Sequence, residues 1–300
     1  MKISSVERKI RAGLPFVRFM QACLPLPVAY WLLKQSMAHV RPDFNSVHEA
    51  VSVDGVPCVW IIPPDASKGK VLLYLHGGGF VYGLTPPHLK MGAYLAQKIK
   101  ARILMVDYRV APAHPFPAAL DDCVTVYRWL LKKGISAQDI AVAGDSAGGN
   151  LTITSLLKLR DDGDPLPAAE VCLSPVTDLT NKSDSHQEIR DPLLPPKAVR
   201  FYNKAYVAHN NARNPLISPV FGDLRGFPPL LVHVGEDEIL RDDAVRIASL
   251  AKSVRVDVRL EIYPRMWHVW QINLSLPQAI QSLDDIAHFL EVHLGLVAQR

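Results

Sequence analysis

Ser146 is the residue of this chain whose surroundings best suit nucleophilic chemistry. It stands at the centre of GDSAG, residues 144–148, which has the spacing G-x-S-x-G and follows the apolar run Ile140–Ala143. A strand that turns sharply into a helix holds its central serine in a strained conformation, and only small neighbours fit beside such a turn. The pattern therefore predicts a nucleophilic Ser146, although an ordinary strand-to-helix turn would also satisfy it.

A serine hydroxyl needs a histidine base, and the base needs a carboxylate that holds it in the right tautomer. His268 follows the last predicted strand on a loop, which is where the α/β-hydrolase chain order Ser, acid, His places the base. The later histidines instead fall in a strand, in the terminal helix or in a predicted cap: His233; His288 and His293; His186 and His209. Position therefore selects His268 as the candidate base.

The acid is harder to choose, because several carboxylates crowd the loop after the strand Leu230–Val234. Asp242 is expected to cap the helix that begins there, since aspartate accepts hydrogen bonds from first-turn N–H groups. Glu238 and Asp237 both remain as candidates for the orienting carboxylate.

Strand-like and helix-like segments alternate from Val71 onward, which predicts a mostly parallel eight-stranded sheet with helices on both faces, an α/β fold. An antiparallel hairpin around Asp54-Gly55 precedes this part. The remaining strands are predicted at Val71–Leu75, Arg102–Val106, from Ile140, Ala169–Leu173, Leu230–Val234 and Val256–Tyr263.

Two stretches interrupt this alternation. Residues 1–45 contain two helix-like segments punctuated by prolines, and residues 186–220 carry prolines and an aromatic helix-like run. Insertions of this kind usually lie over the carboxyl edge of a sheet. We therefore predict a cap formed by residues 1–45 and 186–220, with residues 46–185 and 221–300 forming the two parts of the core.

Composition excludes several other classes of protein. The chain has 300 residues, 49% of them hydrophobic, and a net charge of +4 without blocks of like charge, so no nucleic-acid partner is expected. The stretch Phe19–Leu33 is interrupted and too short to cross a bilayer, so no stable membrane insertion is expected. The N-terminal residues lack a secretory signal pattern, which favours the cytoplasm. Four dispersed cysteines among apolar neighbours suggest small buried residues and neither a disulfide nor a metal site.

Taken in order, the motifs resemble those of the hormone-sensitive lipase family of α/β-hydrolases, the bacterial family IV carboxylesterases. The match covers most of the chain and consists of HGGGF at 76–80, DYR at 107–109, PFPA at 115–118, GDSAGG at 144–149, Ser174-Pro175 and His268. An ordered set of this length is far more specific than any one motif.

The resemblance implies roles for particular residues. The acid of the family stands two positions before a Leu-Arg-Asp run, which favours Glu238 over Asp237, although most members carry aspartate there. The N–H groups of Gly77, Gly78 and Ala147 are expected to form an oxyanion hole. His76 is expected to brace the glycine loop, and Asp145 is expected to be structural. Asp107 and Arg109 are expected to form an ion pair beneath that loop.

The expected function is that of a serine carboxylesterase that hydrolyses short to medium acyl esters of small molecules without a cofactor or metal. The triad by itself equally permits a lactone, an N-acyl amide or an acetylated small molecule as substrate. A non-catalytic receptor on the same fold is a further alternative, but such receptors have lost the histidine that this chain retains as His268. Dimerisation through the last strands is expected from the resemblance alone.

Overall fold

The computed structural model describes residues 3–37, 39–40 and 45–297. The predicted cap segment 1–45 therefore includes seven residues outside this range, and the predicted core segment 221–300 includes three, 298–300. The strands are β1 (Val47–Val53), β2 (Val56–Ile62), β3 (Val71–Leu75), β4 (Arg102–Val106), β5 (Ile140–Asp145), β6 (Ala169–Leu173), β7 (Leu230–Gly235) and β8 (Val258–Tyr263). The helices are α1 (Ser5–Cys23), α2 (Leu26–Met37), α3 (Pro86–Ile99), α4 (Ala118–Lys132), α5 (Ala147–Asp161), α6 (Ser185–Glu188), α7 (Pro196–Val207), α8 (Arg241–Ser253) and α9 (Pro277–His293).

The eight strands form one sheet in the order β1-β2-β4-β3-β5-β6-β7-β8. The pairs β1–β2 and β2–β4 are antiparallel, and every other pair is parallel. This arrangement confirms the predicted α/β-hydrolase architecture. The last strand starts two residues later than predicted, because the Val256 N–H still donates to the Ala251 carbonyl at the end of α8.

An apolar core lies on each face of the sheet, because the central strands are buried on both sides. All five residues of β3 are buried, and alternate ones point to opposite cores. One core holds side chains of α4, α5 and α8, and the other holds side chains of α3 and α9. Helices thus cover both faces, and the carboxyl ends of the parallel strands stay available for loops that carry function.

The two N-terminal helices are separated by a short break. Leu24 is extended (φ −93°, ψ 146°), because a residue that precedes proline is disfavoured in the helical region. The stretch Phe19–Leu33 is therefore divided between two helices, in line with the two helix-like segments predicted for residues 1–45. Leu14 of α1 packs with Trp267 and Trp270, which fixes α1 to the loop after β8. In the described part of the chain, none of the helices has both the length and the apolar character to cross a membrane.

Candidate active site

Ser146 occupies a sharp turn between β5 and α5. Its backbone has φ 54° and ψ −115°, a conformation that a residue with a side chain rarely adopts. Two glycines make the turn sterically feasible, since a Cβ at Gly144 would lie 2.3 Å from the Gly148 carbonyl oxygen and one at Gly148 would lie 1.9 Å from that of Leu75. The surrounding sheet and helix maintain this local strain, which is typical of functional sites.

His268 lies on the loop after β8 and faces the serine. Its Nε2 is 2.9 Å from the Ser146 Oγ, and its Nδ1 is 2.7 Å from the Glu238 Oε2. The imidazole is only 6% exposed, so its hydrogen bonds are largely shielded from water. A hydroxyl, an imidazole and a carboxylate thus form one continuous hydrogen-bonded row.

Glu238 has partners for both oxygens. Its Oε1 accepts from the Ser174 hydroxyl at 2.8 Å and from the backbone N–H of Gly235. Ser174 Oγ also accepts from the N–H of Val269, next to the histidine, so one serine ties the acid loop to the base loop. The carboxylate is therefore held rigidly although it is fully buried.

The other carboxylates of the acid loop point elsewhere. Asp237 is 38% exposed and bonds to Arg11 of α1 at 2.8 Å, so it does not reach His268. Asp242 was expected to cap α8, but the helix already includes it, and its side chain pairs with Arg241 and accepts from the Ser185 N–H. That expectation is wrong because the helix begins one residue earlier than predicted.

The electrostatics of the site favour a charged imidazole. Burial alone would lower the pKa of His268, but the hydrogen bond and the charge of Glu238, followed by the charges of Asp191 and Asp145, raise it above its usual value. A base with this environment takes a proton from a hydroxyl more readily, because the resulting imidazolium is stabilised.

The glycine loop differs from the expectation at one position. The Gly77 N–H donates to the Asp145 Oδ1 at 2.9 Å, so it is not available to an oxyanion. No acceptor within residues 3–37, 39–40 and 45–297 takes the N–H groups of Gly78, Gly79 and Ala147. Gly78 and Gly79 also line the cavity above Ser146. The Gly77 N–H is therefore not free for the expected role, whereas, among the described residues, those of Gly78 and Gly79 lie free beside Ser146.

Asp145 and His76 hold this loop from below. The Asp145 carboxylate accepts from the Tyr74 hydroxyl at 2.9 Å as well as from Gly77. Burial would raise its pKa, but the charge of nearby His88 and these hydrogen bonds keep it below the usual value. His76 stacks on Tyr108 with 4.2 Å between ring centres. Both residues therefore support the loop.

The expected ion pair between Asp107 and Arg109 does not form. Arg109 binds Asp122 of α4 at 2.7 Å, and Asp107 instead accepts from the Leu84 N–H at 2.9 Å.

Asp191 lies next to the site but was not among the residues predicted from the sequence. It falls in the polar part of the insertion 186–220, which was predicted only as part of the cap. Its side chain is fully buried, and it accepts from the N–H groups of Leu193, Leu194 and Ile239 at 2.7–3.1 Å. Ile239 follows the acid Glu238, so Asp191 joins the insertion to the acid loop. Burial raises its pKa to about 6. The Asp-Pro pair followed by two leucines is a turn signal that could have marked it.

A cavity of about 360 Å³ opens above Ser146 and His268. Most of the side chains that line it are apolar, including Leu14 and Met20 of α1 and Leu194 of the insertion. A concave apolar space with a few convergent polar groups is typical of small-molecule sites. Among the described residues, no group of three or more histidine, cysteine or acidic side chains is arranged to hold a metal ion.

The doubly wound sheet and the hydroxyl, imidazole and carboxylate at its carboxyl edge define an α/β-hydrolase. A family model for the alpha/beta hydrolase fold matches residues 72–272. An acetyl-hydrolase of Streptomyces hygroscopicus is 38% identical over 250 residues, which are 82% of this chain and 83% of that protein. An esterase of Acinetobacter venetianus is 37% identical over 76% of this chain and 77% of its own length.

Solved structures narrow the class further. An esterase from the bacterial hormone-sensitive lipase family superposes with a TM-score of 0.91 at 38% identity, covering 98% of this chain and all of that one. A hormone-sensitive lipase from a metagenome library gives 0.90 at 37% identity, covering 95% and 98%. The chain therefore belongs to the hormone-sensitive-lipase-like, family IV esterases of the α/β-hydrolase fold. It is a carboxylic ester hydrolase that acts on small-molecule esters.

Proposed function

We propose that Ser146, His268 and Glu238 form a catalytic triad that hydrolyses esters through an acyl-enzyme. The observation that carries this proposal is the unbroken pair of hydrogen bonds, 2.9 Å from Ser146 to His268 and 2.7 Å from His268 to Glu238. Asp237 is excluded as the acid in this proposal, because it is paired with Arg11.

The steps follow from the proton positions. The Ser146 hydroxyl gives its proton to His268 Nε2 while its oxygen bonds to the ester carbonyl carbon. The carbon–oxygen bond to the alcohol then breaks, and the imidazolium protonates the leaving alcohol. The same nitrogen then takes a proton from a water molecule as the water oxygen bonds to the acyl carbon. The bond from that carbon to Ser146 Oγ breaks, the imidazolium returns the proton to Oγ, and the carboxylic acid leaves. Glu238 keeps its charge throughout and stabilises the imidazolium.

The negative charge on the tetrahedral oxygen needs donors that are already in place. We assign this role to the N–H groups of Gly78, Gly79 and Ala147. Ala147 is the first residue of α5, so the positive end of the helix adds to its N–H. Loss of one such donor typically raises the barrier by about 2.7–4 kcal/mol.

The proposed substrates are short to medium acyl esters. The 360 Å³ cavity is near the lower end of the range for small-molecule sites, which favours small acyl groups. A second candidate is an acetylated small molecule, favoured by the relative named acetyl-hydrolase at 38% identity. A panel of acetate, butyrate and octanoate esters with the same leaving group separates the two candidates.

The proposed cap consists of residues 1–45 and 186–220, and the proposed core consists of residues 46–185 and 221–300. Support comes from the side chains that α1 and the insertion contribute to the cavity. The Arg18 Nε also donates to the Asp191 carbonyl at 2.8 Å, which joins the two parts of the cap.

The test of the triad is Ser146→Ala. Turnover of p-nitrophenyl butyrate is expected to fall by roughly 10⁵- to 10⁶-fold, because no other group replaces the nucleophile. Labelling by an organophosphonate is expected to disappear at the same time. Ser155→Ala is the matched control, since Ser155 is a buried serine of α5 that does not line the cavity. Labelling that persists at another serine would refute the assignment.

A further inference from the structure

A second cavity of about 250 Å³ lies beside the catalytic cavity. Ala29 of α2 lines both spaces, and so do three hydrogen-bonding side chains, those of Gln21, Tyr82 and Tyr202. We call these three side chains the tyrosine wall. Each comes from a different part of the chain: α1, the loop after the glycine motif, and α7. The wall is therefore a tertiary feature that separates two neighbouring cavities.

Hydrogen bonds connect the side chains of the tyrosine wall. The Tyr82 and Tyr202 hydroxyl oxygens are 3.3 Å apart, and the Tyr202 hydroxyl donates to the Gln21 Oε1 at 3.4 Å. The Gln21 amide also donates to the Leu193 carbonyl at 3.2 Å. Both tyrosines are more than 90% buried, and burial raises the pKa of each phenol, so both stay neutral.

The tyrosine wall stands directly beside the reacting groups. The Tyr202 ring packs so closely on the glycine loop that a Cβ at Gly79 would lie 2.7 Å from the ring. The catalytic cavity on one side of the wall includes Ser146 and His268. A chain that extends from a carbonyl bound at Ser146 toward α1 therefore meets the wall.

The cavity behind the wall has the chemistry of an aliphatic-chain site. Its lining is largely apolar and comes from the α1–α2 connection and from α7: Ala22, Leu24, Leu26, Ala198 and Phe201. Each methylene group of a bound chain that moves from water to such an apolar surface favours binding.

We propose that the tyrosine wall limits the length of the aliphatic chain that this esterase accepts, and that the cavity behind it is a blocked extension of the substrate site. This inference rests on the proposed function, because it places the ester carbonyl at Ser146. The wall acts by volume, so a smaller side chain in it admits a longer chain.

Gln21→Ala opens the wall with the least disturbance, because alanine suits the α1 helix. The ratio of kcat/KM for p-nitrophenyl decanoate to that for the butyrate is expected to rise roughly tenfold, which is within the range that pocket methylenes contribute. Gln21→Leu is the matched control, since it keeps the volume and removes the hydrogen bonds. Its ratio is expected to stay within about twofold of the unmodified enzyme's.

A parallel series of alkyl acetates, ethyl against octyl, identifies which end of the ester extends behind the wall. A gain in the acyl series assigns the acyl chain, and a gain in the acetate series assigns the alcohol chain. If Gln21→Ala does not fold, Tyr82→Leu opens the wall from the other side.

Cys23 provides an independent probe of the second cavity. It lines that cavity and is exposed, contrary to the sequence expectation, whereas the other three cysteines are buried. Alkylation of the Gln21→Ala enzyme with N-phenylmaleimide is expected to fill the cavity and return the chain-length ratio to its original value. The Cys23→Ser, Gln21→Ala double variant should keep the raised ratio after the same treatment.

The outcomes separate this inference from the proposed function. The inference is refuted if an opened variant keeps the same long-chain to short-chain ratio of kcat/KM in both ester series while an organophosphonate still labels Ser146. An equal gain in Gln21→Leu overturns it as well, because volume would not be the cause. Labelling at a serine other than Ser146 counts instead against the triad.

Discussion

Two fully buried glutamates, one in β6 and one just after the neighbouring strand β7, have opposite surroundings. Glu238 follows the carboxyl end of β7, and its two oxygens bind His268, Ser174 and the Gly235 N–H. Glu170 lies near the amino end of β6, and neither of its oxygens has a hydrogen-bond partner among the described residues. Burial raises the pKa of Glu170 to about 8. The two carboxylates are thus equally buried, but only that of Glu238 is held by hydrogen bonds.

The position along the strand explains the difference. Inside a parallel sheet, the backbone N–H groups are used by the neighbouring strands, as when Glu170 pairs with Val142 and Leu230. Beyond the carboxyl end of a strand, loops offer free N–H groups and hydroxyls. Glu238 therefore finds donors, whereas Glu170 faces apolar packing. A buried carboxylate that lacks hydrogen-bond partners is the more costly one to ionise.

Glu238→Gln is the change that would most strongly break the comparison. The amide cannot stabilise the imidazolium, so kcat for p-nitrophenyl butyrate is expected to fall by roughly 10³- to 10⁴-fold. Asp237→Asn is the control on the adjacent residue, and its effect is expected to be mild. Steady-state kinetics of both variants test this, and the reverse ranking would make Asp237 the acid.

Glu170→Leu addresses the other member of the pair. The raised pKa means that the native state binds a proton that the unfolded chain releases above pH 4.5, so stability falls as the pH rises from about 4.5 to about 8. The slope expected from one group is about 1.4 kcal/mol per pH unit. The leucine variant should lose this slope and gain a few kcal/mol, in order of magnitude, at pH 8.

Urea unfolding at pH 5, 7 and 9 measures this effect. Glu170→Gln is the matched control, because it removes ionisation but leaves a buried amide in the same place. It should lose the pH dependence and be less stable than the leucine variant. Parallel pH curves for the unmodified protein and Glu170→Gln would show that Glu170 does not titrate in this range.

Asp191→Asn tests a third buried carboxylate, and its expected effect on the pH profile of kcat/KM is smaller than the effects of the two glutamate changes. Asp191 is a buried carboxylate that does have donors, and its charge raises the pKa of His268. Its removal should therefore move the acidic limb of the kcat/KM profile to lower pH. Asp237→Asn serves as the exposed control and should leave the limb in place. A shift to higher pH, or no shift, would contradict the electrostatic role.

Local sequence patterns predicted most of the fold. The hairpin at Asp54-Gly55 forms between β1 and β2, and the buried runs at Val71–Leu75, Arg102–Val106 and Ala169–Leu173 are strands with the predicted bounds. These features depend on residues close together in the chain: a turn that needs positive φ, or an apolar run long enough for a buried strand. Ser146, Glu238 and His268 are far apart in the chain, and they were predicted from the order of motifs along the chain and from the family resemblance.

The sequence by itself determined the elements and the residue types that end them, because backbone preference and apolar periodicity act over a few residues. Only the tertiary structure brought Glu238 and not Asp237 to His268, bonded the Gly77 N–H to Asp145 and paired Arg109 with Asp122. Each of these outcomes depends on a donor or an acceptor from a distant segment. A side chain's direction and its partner are fixed by packing, which no local pattern records.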